Sequence, residues 1–528
     1  MRTFHLPGRS PVYGRRAMCA TSHPAATLTA IEVLRQGGNA IDAAVATAAV
    51  LAVVECPMTG IGGDVFAILH KPGQTKPIAF SASGRAPKAA TAAWYADKGI
   101  KRIETTMVHA VTVPGAVDGW CRLAADHGTQ PLSRLLAPAI ALAEGGFVVA
   151  PRVAADWQNG SRKFNGPGAK RHLLKDGKVP KAGEVMRFPA LAATLKQIAA
   201  HGRDGFYQGE VARDMVETLN AIGGLHTLDD FAAQSSTYVE PLALPYRGVT
   251  LYEMPPSNQG IVAMIMLKML EKLGAPASNP QSVEHFHLLM EVARAAFAMR
   301  DAFLADPDMA KVPVDHMLDD TTIAKLAAGI DRDRHKPELG PVPRPGGTDT
   351  VCFSIADESG MMVSFINSLY GDFGTGIVTE KTGVCFHNRG EGFVLDPAHP
   401  NCIAPRKRPM HTLVPAMVCR DEAPLMAFGV MGAHFQPMGH VYVMNNMFDY
   451  GMGPQEALEA PRMFFEGDAI LVEDGVPRDV LSGLEARGHK MQRRPLPWGG
   501  GQIVMRDAAN GTLIGASDHR KDGMALGY

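Results

Sequence analysis

Residues 331–347 constrain this chain more than any other feature. The stretch DRDRHKPELGPVPRPGG holds four prolines and three glycines among charges. Proline fixes φ and removes a backbone donor, so such a run cannot continue a helix or sit inside a sheet. It reads as an exposed, structureless linker. The textures on its two sides differ. Before it, helical patterns dominate: Ala25 to Leu34, stopped by Gly37-Gly38, then Ile41 to Val54, Leu132 to Ala143, Ile261 to Leu273 and Val283 to Phe303. In the last of these, Phe286, Met290, Ala293, Phe297 and Arg300 recur at helical spacing, so one face is core. Val65 to Leu69 and Pro77 to Phe80 read as short buried strands. After the linker come strand patterns: Val351 to Ala356, a turn at Ser359-Gly360, Met361 to Ser368, Val384 to His387, Val414 to Cys419 and Leu425 to Gly429. Asn510-Gly511 between Ile503–Met505 and Leu513-Ile514 predicts a two-residue type I′ hairpin. The two segments either complete one layered α/β domain or form two domains; periodicity is compatible with both.

At 528 residues the chain is long enough for a large core. With 46% hydrophobic and 20% charged residues and a mean hydropathy of −0.03, it has the composition of a globular protein. A net charge of −1 offers no field to attract nucleic acid or an anionic membrane. The longest apolar run, Ala43 to Val54, is too short to span a bilayer and reads as a buried helix. Seven cysteines without a C-x-x-C pair are expected to be reduced thiols. The first ten residues lack an apolar signal region, so a cytoplasmic protein is expected.

The linker ends at Gly346-Gly347-Thr348-Asp349-Thr350, where a strand begins. Taken alone, this is ordinary turn-to-strand chemistry. The surrounding stretches say more. They are Phe373-Gly-Thr-Gly-Ile-Val378, Gly383-Val-Cys-Phe-His-Asn388, Asp396-Pro-Ala-His-Pro-Asn401 and Ala404-Pro-Arg-Lys-Arg-Pro409. Earlier in the chain stand Gly37-Gly-Asn-Ala-Ile-Asp-Ala-Ala44, Gly60-Ile-Gly-Gly63, Val113-Pro-Gly-Ala116 and Ala137-Pro-Ala-Ile140. In order, and over nearly the whole chain, these resemble the γ-glutamyltransferase family, whose proenzymes cut themselves before a threonine.

The resemblance implies an α+β fold, a four-layer αββα sandwich of the N-terminal-nucleophile hydrolase type. It also implies cleavage between Asp349 and Thr350, leaving residues 1–349 and 350–528 packed together as a heterodimer. In the family the nucleophile stands seven residues before the aspartate that ends the first strand, here Asp357, which selects Thr350 over Thr348. The family's partner hydroxyl maps to Ser368, and its oxyanion glycine pair maps to Gly432-Ala433, with alanine replacing the second glycine. The chemistry is coherent. A threonine hydroxyl needs a base, and cleavage frees an α-amine with a pKa of roughly 7.7–8.0 beside that hydroxyl. Backbone N–H groups would then stabilise the tetrahedral oxyanion.

The family's polar set for an amino-acid substrate is largely replaced here. Ser83 stands at the arginine position, although Arg85 follows. Tyr370 replaces an asparagine, Arg389 a glutamine, Gly392 an aspartate, and His411 and Thr412 a serine pair. Losing a carboxylate and gaining an arginine fits a small amide bearing a carboxylate, such as oxamate, better than a γ-glutamyl group. A surface pair of Arg389 with Glu391, and a structural ion pair at Arg85, are the plain alternatives. Competing functions are γ-glutamyl transfer or glutathione hydrolysis, a cephalosporin-type acylase, and a non-catalytic binding protein. His434, beside the oxyanion loop, either contacts substrate or fills space. His285, His287 and Glu291 share one helix, but side chains at i and i+2 diverge, so no metal is expected. Gly371-Asp-Phe-Gly-Thr-Gly376 is not a dinucleotide fingerprint, and no cofactor is expected.

Overall fold

A computed structural model describes residues 8–276, 279–337 and 350–528. Thr348, Asp349 and the linker residues 338–347 lie outside the described residues. Two seven-stranded sheets, antiparallel throughout, form the centre. In the first the order is Val12–Gly14, Thr512–Ser517, Gly500–Asp507, Ala423–Met431, Ala416–Arg420, Val249–Glu253 and Leu242–Tyr246. In the second it is Met524–Gly527, Met18–Thr21, Val351–Ala356, Met362–Ser368, Asp64–His70, Ile78–Ala82 and Thr237–Val239. Each sheet takes strands from both sides of residues 331–347, so the two textures belong to one interleaved domain.

The period of two in a strand explains the layering. In Val351–Ala356 every residue is buried, yet alternate residues enter different cores. Val351, Phe353 and Ile355 pack outward beneath the helices Pro24–Arg35, Ala40–Val54 and Ala116–His127. Cys352 and Ala356 face the first sheet, joining Met18, Phe66, Ile366 and Val504. On the far side, Gly260–Lys272, Val283–Phe303 and Gln436–Met444 cover the first sheet. The result is the αββα sandwich that the resemblance implied. Polar atoms between the sheets are bonded: Ser364 Oγ donates to the Phe428 carbonyl at 2.7 Å and Ser354 Oγ to that of Gln502 at 3.3 Å.

Helix starts follow local chemistry. Asn39 and Asp42 form a reciprocal capping box ahead of Ala40–Val54. The apolar run is a wholly buried helix, and no helix of the described residues is long and apolar enough to cross a membrane. Asp357 closes the turn between the two central strands. Its Oδ1 accepts from the Ser359 and Met361 N–H groups, while its Oδ2 accepts from Ala40 N–H at 2.8 Å.

Two local expectations fail. Val384–His387 is not a regular strand: Gly383 turns at φ 69°, and only an isolated bridge joins Cys385 to Val378. The hairpin at Asn510-Gly511 is wider than two residues, because the ladder closes at Asp507 opposite Thr512. The Asp507 carboxylate accepts from the Ala509 and Asn510 N–H groups and orders a four-residue loop.

Candidate active site

Thr350 directly precedes its strand. The register pairs Val351 with Asn367, which sets Thr350 opposite Ser368, and Ser368 in turn pairs with Asp64 on the next strand. Residues directly opposite one another share a face. By the alternation above, that face looks into the space between the sheets. Thr350 Oγ1 and Ser368 Oγ lie 3.0 Å apart and are fully buried. Ser368 Oγ also accepts from the Tyr370 N–H at 2.8 Å. Glycine is obligatory beside this point: a Cβ on Gly63 would stand 2.3 Å from the Ser368 carbonyl oxygen, and one on Gly62 2.1 Å from that of Cys385.

Arg389 does not pair with Glu391 on the surface, which corrects one reading of the sequence. Glu391 accepts instead from Thr105 Oγ1 and Asn388 Nδ2. Arg389 is 1% exposed, with its guanidinium 4.1 Å from the centre of the Tyr370 ring. One Nη donates to Thr412 Oγ1 at 2.7 Å, while Nε and the other Nη meet no acceptor among the described residues. Burial lowers its pKa to about 10, against the pull of Asp64. Unmade hydrogen bonds on a buried cation cost about 1–3 kcal/mol or more. That cost is recovered when an anion enters.

A second line of groups reaches Tyr370 from behind. Arg300 donates to Gln259 Oε1 at 2.8 Å and to His434 Nδ1 at 2.9 Å. Burial, with Arg300 and Arg389 nearby, holds His434 far below the usual histidine range, so its ring is neutral. Nδ1 must accept from Arg300, hence Nε2 carries the hydrogen and donates to the Tyr370 hydroxyl oxygen at 3.1 Å. The hydrogen of Tyr370 is thereby left for another acceptor.

His411 supports this floor from below. Its Nδ1 accepts from the Leu413 N–H, so Nε2–H donates to Asp64 Oδ2 at 3.0 Å. Burial and Arg389 lower its pKa to about 3. Asp64 Oδ1 accepts from the Gly84 and Gly115 N–H groups. Its burial is outweighed by His387, His411 and Arg389, which keep the carboxylate ionised.

The loop after Ala423–Met431 carries Gly432 at φ 129° and Ala433 at φ 49°. Ala433 thus keeps a left-handed conformation despite its Cβ. Gln259 Nε2 fixes the loop by donating to the Ala433 carbonyl at 2.8 Å and to that of Thr412 at 3.0 Å. Neither the Gly432 nor the Ala433 N–H donates to another described residue outside the regular ladders.

The structure therefore brings together Thr350, Ser368, Tyr370, Arg389, Thr412 and His434, with His411 beneath them. Arg85 is engaged elsewhere. Its guanidinium bonds Asp308 at 3.0 Å and the Arg406 carbonyl at 2.9 Å, and pairs with Asp306. Sequence reasoning missed Asp64, Gln259 and Arg300. Two left a trace: Asp64 is a charge opening an apolar strand after Gly62-Gly63, and Arg300 is a charge on the apolar face of Val283–Phe303.

Known proteins resemble this chain over nearly its whole length. The profile of the family described as Gamma-glutamyltranspeptidase matches residues 26–528. A glutathione hydrolase-like proenzyme, YwrD of Bacillus subtilis, is 35% identical over 98% of this chain and 99% of its own length. The oxamate amidohydrolase proenzyme of Klebsiella pneumoniae is also 35% identical, over 97% of this chain and 98% of its own. A crystal structure of cephalosporin acylase from Bacillus halodurans superposes with a TM-score of 0.92 at 36% identity, covering 100% of this chain and 99% of that one. The chain belongs to the gamma-glutamyltranspeptidase family and is an enzyme of its N-terminal-nucleophile hydrolase class.

Proposed function

We propose that this enzyme cuts itself before Thr350 and then hydrolyses a small amide that carries a carboxylate, with oxamate as the representative substrate. Thr350 Oγ1 first attacks the Asp349 carbonyl carbon, and water opens the resulting ester. Fragments 1–349 and 350–528 result. In turnover the new α-amine accepts the hydroxyl proton as Oγ1 attacks the substrate amide carbon. The C–N bond breaks, the proton leaves with the nitrogen as ammonia, and water hydrolyses the acyl ester. With oxamate the acid released is oxalate. Ser368 Oγ, 3.0 Å from Thr350 Oγ1, orients the nucleophile. The Gly432 and Ala433 N–H groups receive the oxyanion.

One observation carries the substrate class: Arg389 is buried with two unbonded N–H donors, stacked on Tyr370 next to the Thr350–Ser368 pair. A planar fork with an edge to spare suits a carboxylate. The carboxylate and carbonyl of oxamate are joined directly, so one small molecule presents both an anion for Arg389 and an amide carbon for Thr350. Thr412 fixes the fork, and Tyr370, held by His434, donates its hydrogen toward the same ligand. Two similar proteins bear the names oxamate amidohydrolase and cephalosporin acylase, which accords with hydrolysis of an amide other than a γ-glutamyl one.

The test is nuclear magnetic resonance of the matured enzyme with glutathione and carbon-labelled oxamate in one tube. Labelled oxalate, with glutathione persisting, is the expected result. Free glutamate with oxamate untouched would overturn the substrate assignment and leave γ-glutamyl hydrolysis.

A further inference from the structure

A second cluster gathers residues from both sides of the proposed cleavage point. Glu291 lies on the helix Val283–Phe303, His335 follows that helical region, and His489 precedes the strand Lys490–Arg493. One ligand atom from each lies within 4.8 Å of the others. Glu291 is 0% and His489 4% exposed.

The hydrogen bonds fix which atoms are open. His287 Nε2 faces the Asp331 carbonyl at 2.8 Å and must donate to it. Its Nδ1 therefore accepts, and the donor is His489 Nε2 at 2.8 Å. His489 Nδ1 is left as a lone pair, buried and without a partner among the described residues. A metal-binding histidine has this form: one nitrogen open, the other N–H held by an oriented acceptor. His335 Nδ1 shares a proton with Glu291 Oε1 at 2.7 Å, and the Lys336 N–H anchors Oε2. His287 and Glu291, one turn apart on the same helix face, thus act together, one orienting a ligand and the other supplying one. His285 points elsewhere, its Nδ1 3.1 Å from the Tyr450 hydroxyl.

We propose that Glu291, His335 and His489 bind a divalent transition-metal ion of the zinc type, with solvent completing the shell. Two imidazoles and a carboxylate suit that ion better than calcium or magnesium, which favour oxygen. Imidazole and carboxylate bind a metal only when deprotonated, so binding strengthens with rising pH. His335 and Glu291 precede residue 350 and His489 follows it, so the ion clamps the C-terminal end of the large fragment onto the small one. Arg294, on the same helix and stacked over Phe465, opposes a cation here and weakens the site.

Matured, chelator-treated protein titrated with Co2+ is expected to bind one ion per chain, with visible ligand-field absorption that Zn2+ removes. Glu291→Gln and His335→Ala should each weaken binding by at least the roughly 10- to 100-fold that loss of an outer-shell partner costs, and Arg294→Met should strengthen it. No saturable absorption in folded wild-type protein, or equal binding by wild type and both weakening variants, overturns the site. The readout needs no substrate, so failure here leaves the role of Thr350 untouched.

Discussion

The guanidinium of Arg389 lies over the ring of Tyr370, 4.1 Å from its centre, while Tyr370 gives its backbone N–H to Ser368 Oγ. The proposed anion socket and the proposed nucleophile pair are therefore built on the same two-residue step, Ser368 to Tyr370. Truncating the guanidinium should separate binding from folding. Arg389→Met removes a desolvated cation but also the Thr412 bond and a charge that favours ionised Asp64, so the fold is expected to change stability by no more than about 1–2 kcal/mol. The same change should cost about 2–3 kcal/mol of transition-state binding, or roughly 30- to 150-fold in kcat/KM, for a carboxylate-bearing amide. A neutral amide of similar size should be hydrolysed about equally well by both forms. Paired kinetics on the two amides checks this, and an equal loss on both would remove Arg389 from recognition.

Tyr370 is held by His434 so that its hydrogen is free to be donated. Tyr370→Phe keeps the ring beneath Arg389 but removes both that donor and the acceptor of the His434 Nε2–H. Its barrier to turnover is expected to rise by about 1–3 kcal/mol, a loss of roughly 5- to 150-fold in rate, while self-cleavage proceeds. Unchanged kcat and KM would mean that the hydroxyl serves packing alone.

Ala433 holds φ 49°, a conformation that costs an alanine about 1–2 kcal/mol, whereas glycine adopts it freely. Allowing for the greater chain entropy of glycine, Ala433→Gly should raise stability by up to about 1 kcal/mol without loss of activity. Gly432→Ala is expected to be harmful. At φ 129° its Cβ would press within 3.3 Å of Phe435 and move the N–H groups assigned to the oxyanion. Thermal melts and initial rates of both variants test the loop.

Acid should unfold this protein through histidines held neutral. Burial lowers His226 and His285 to about 4, and His411, with Arg389 beside it, to about 3. In the unfolded chain each titrates near roughly 6.5. Their folded pKa values are depressed, so below pH ~6.5 the unfolded state binds more protons and stability declines. The decline continues until the pH falls to the folded values, at about 1.4 kcal/mol per pH unit for each histidine. Denaturant midpoints at pH 7 and pH 5 should therefore differ markedly, and a flat profile would contradict the neutral assignments.

Much of the fold was legible because its signals are local. Val283–Phe303 agrees with its pattern at both ends, since the Ser282 hydroxyl caps the His285 N–H and the apolar stripe runs unbroken. Val351–Ala356 and Met362–Ser368 agree because apolar runs flank a Ser359-Gly360 turn. Sheet order, by contrast, depends on pairings such as Ser368 with Asp64, which no window of sequence contains. The site divides the same way. Thr350 and Ser368 are picked out by the family resemblance, the first by its spacing from Asp357 and the second by its place ahead of the Phe373-Gly-Thr-Gly376 loop, whereas the fate of the two arginines hangs on distant partners. Arg85 is claimed by Asp308, 223 residues away, and Arg389 is left with open donors between Thr412 and Tyr370.

Thr350 is proposed to become a new N-terminus and to act as the nucleophile. Intact-mass measurement and N-terminal sequencing of the purified protein test it most directly, alongside Thr350→Ala. Two fragments are expected, 1–349 and 350–528, the smaller beginning at Thr350, with the variant remaining one inactive chain. An active enzyme that stays uncut, or whose smaller fragment begins at another residue, would contradict it.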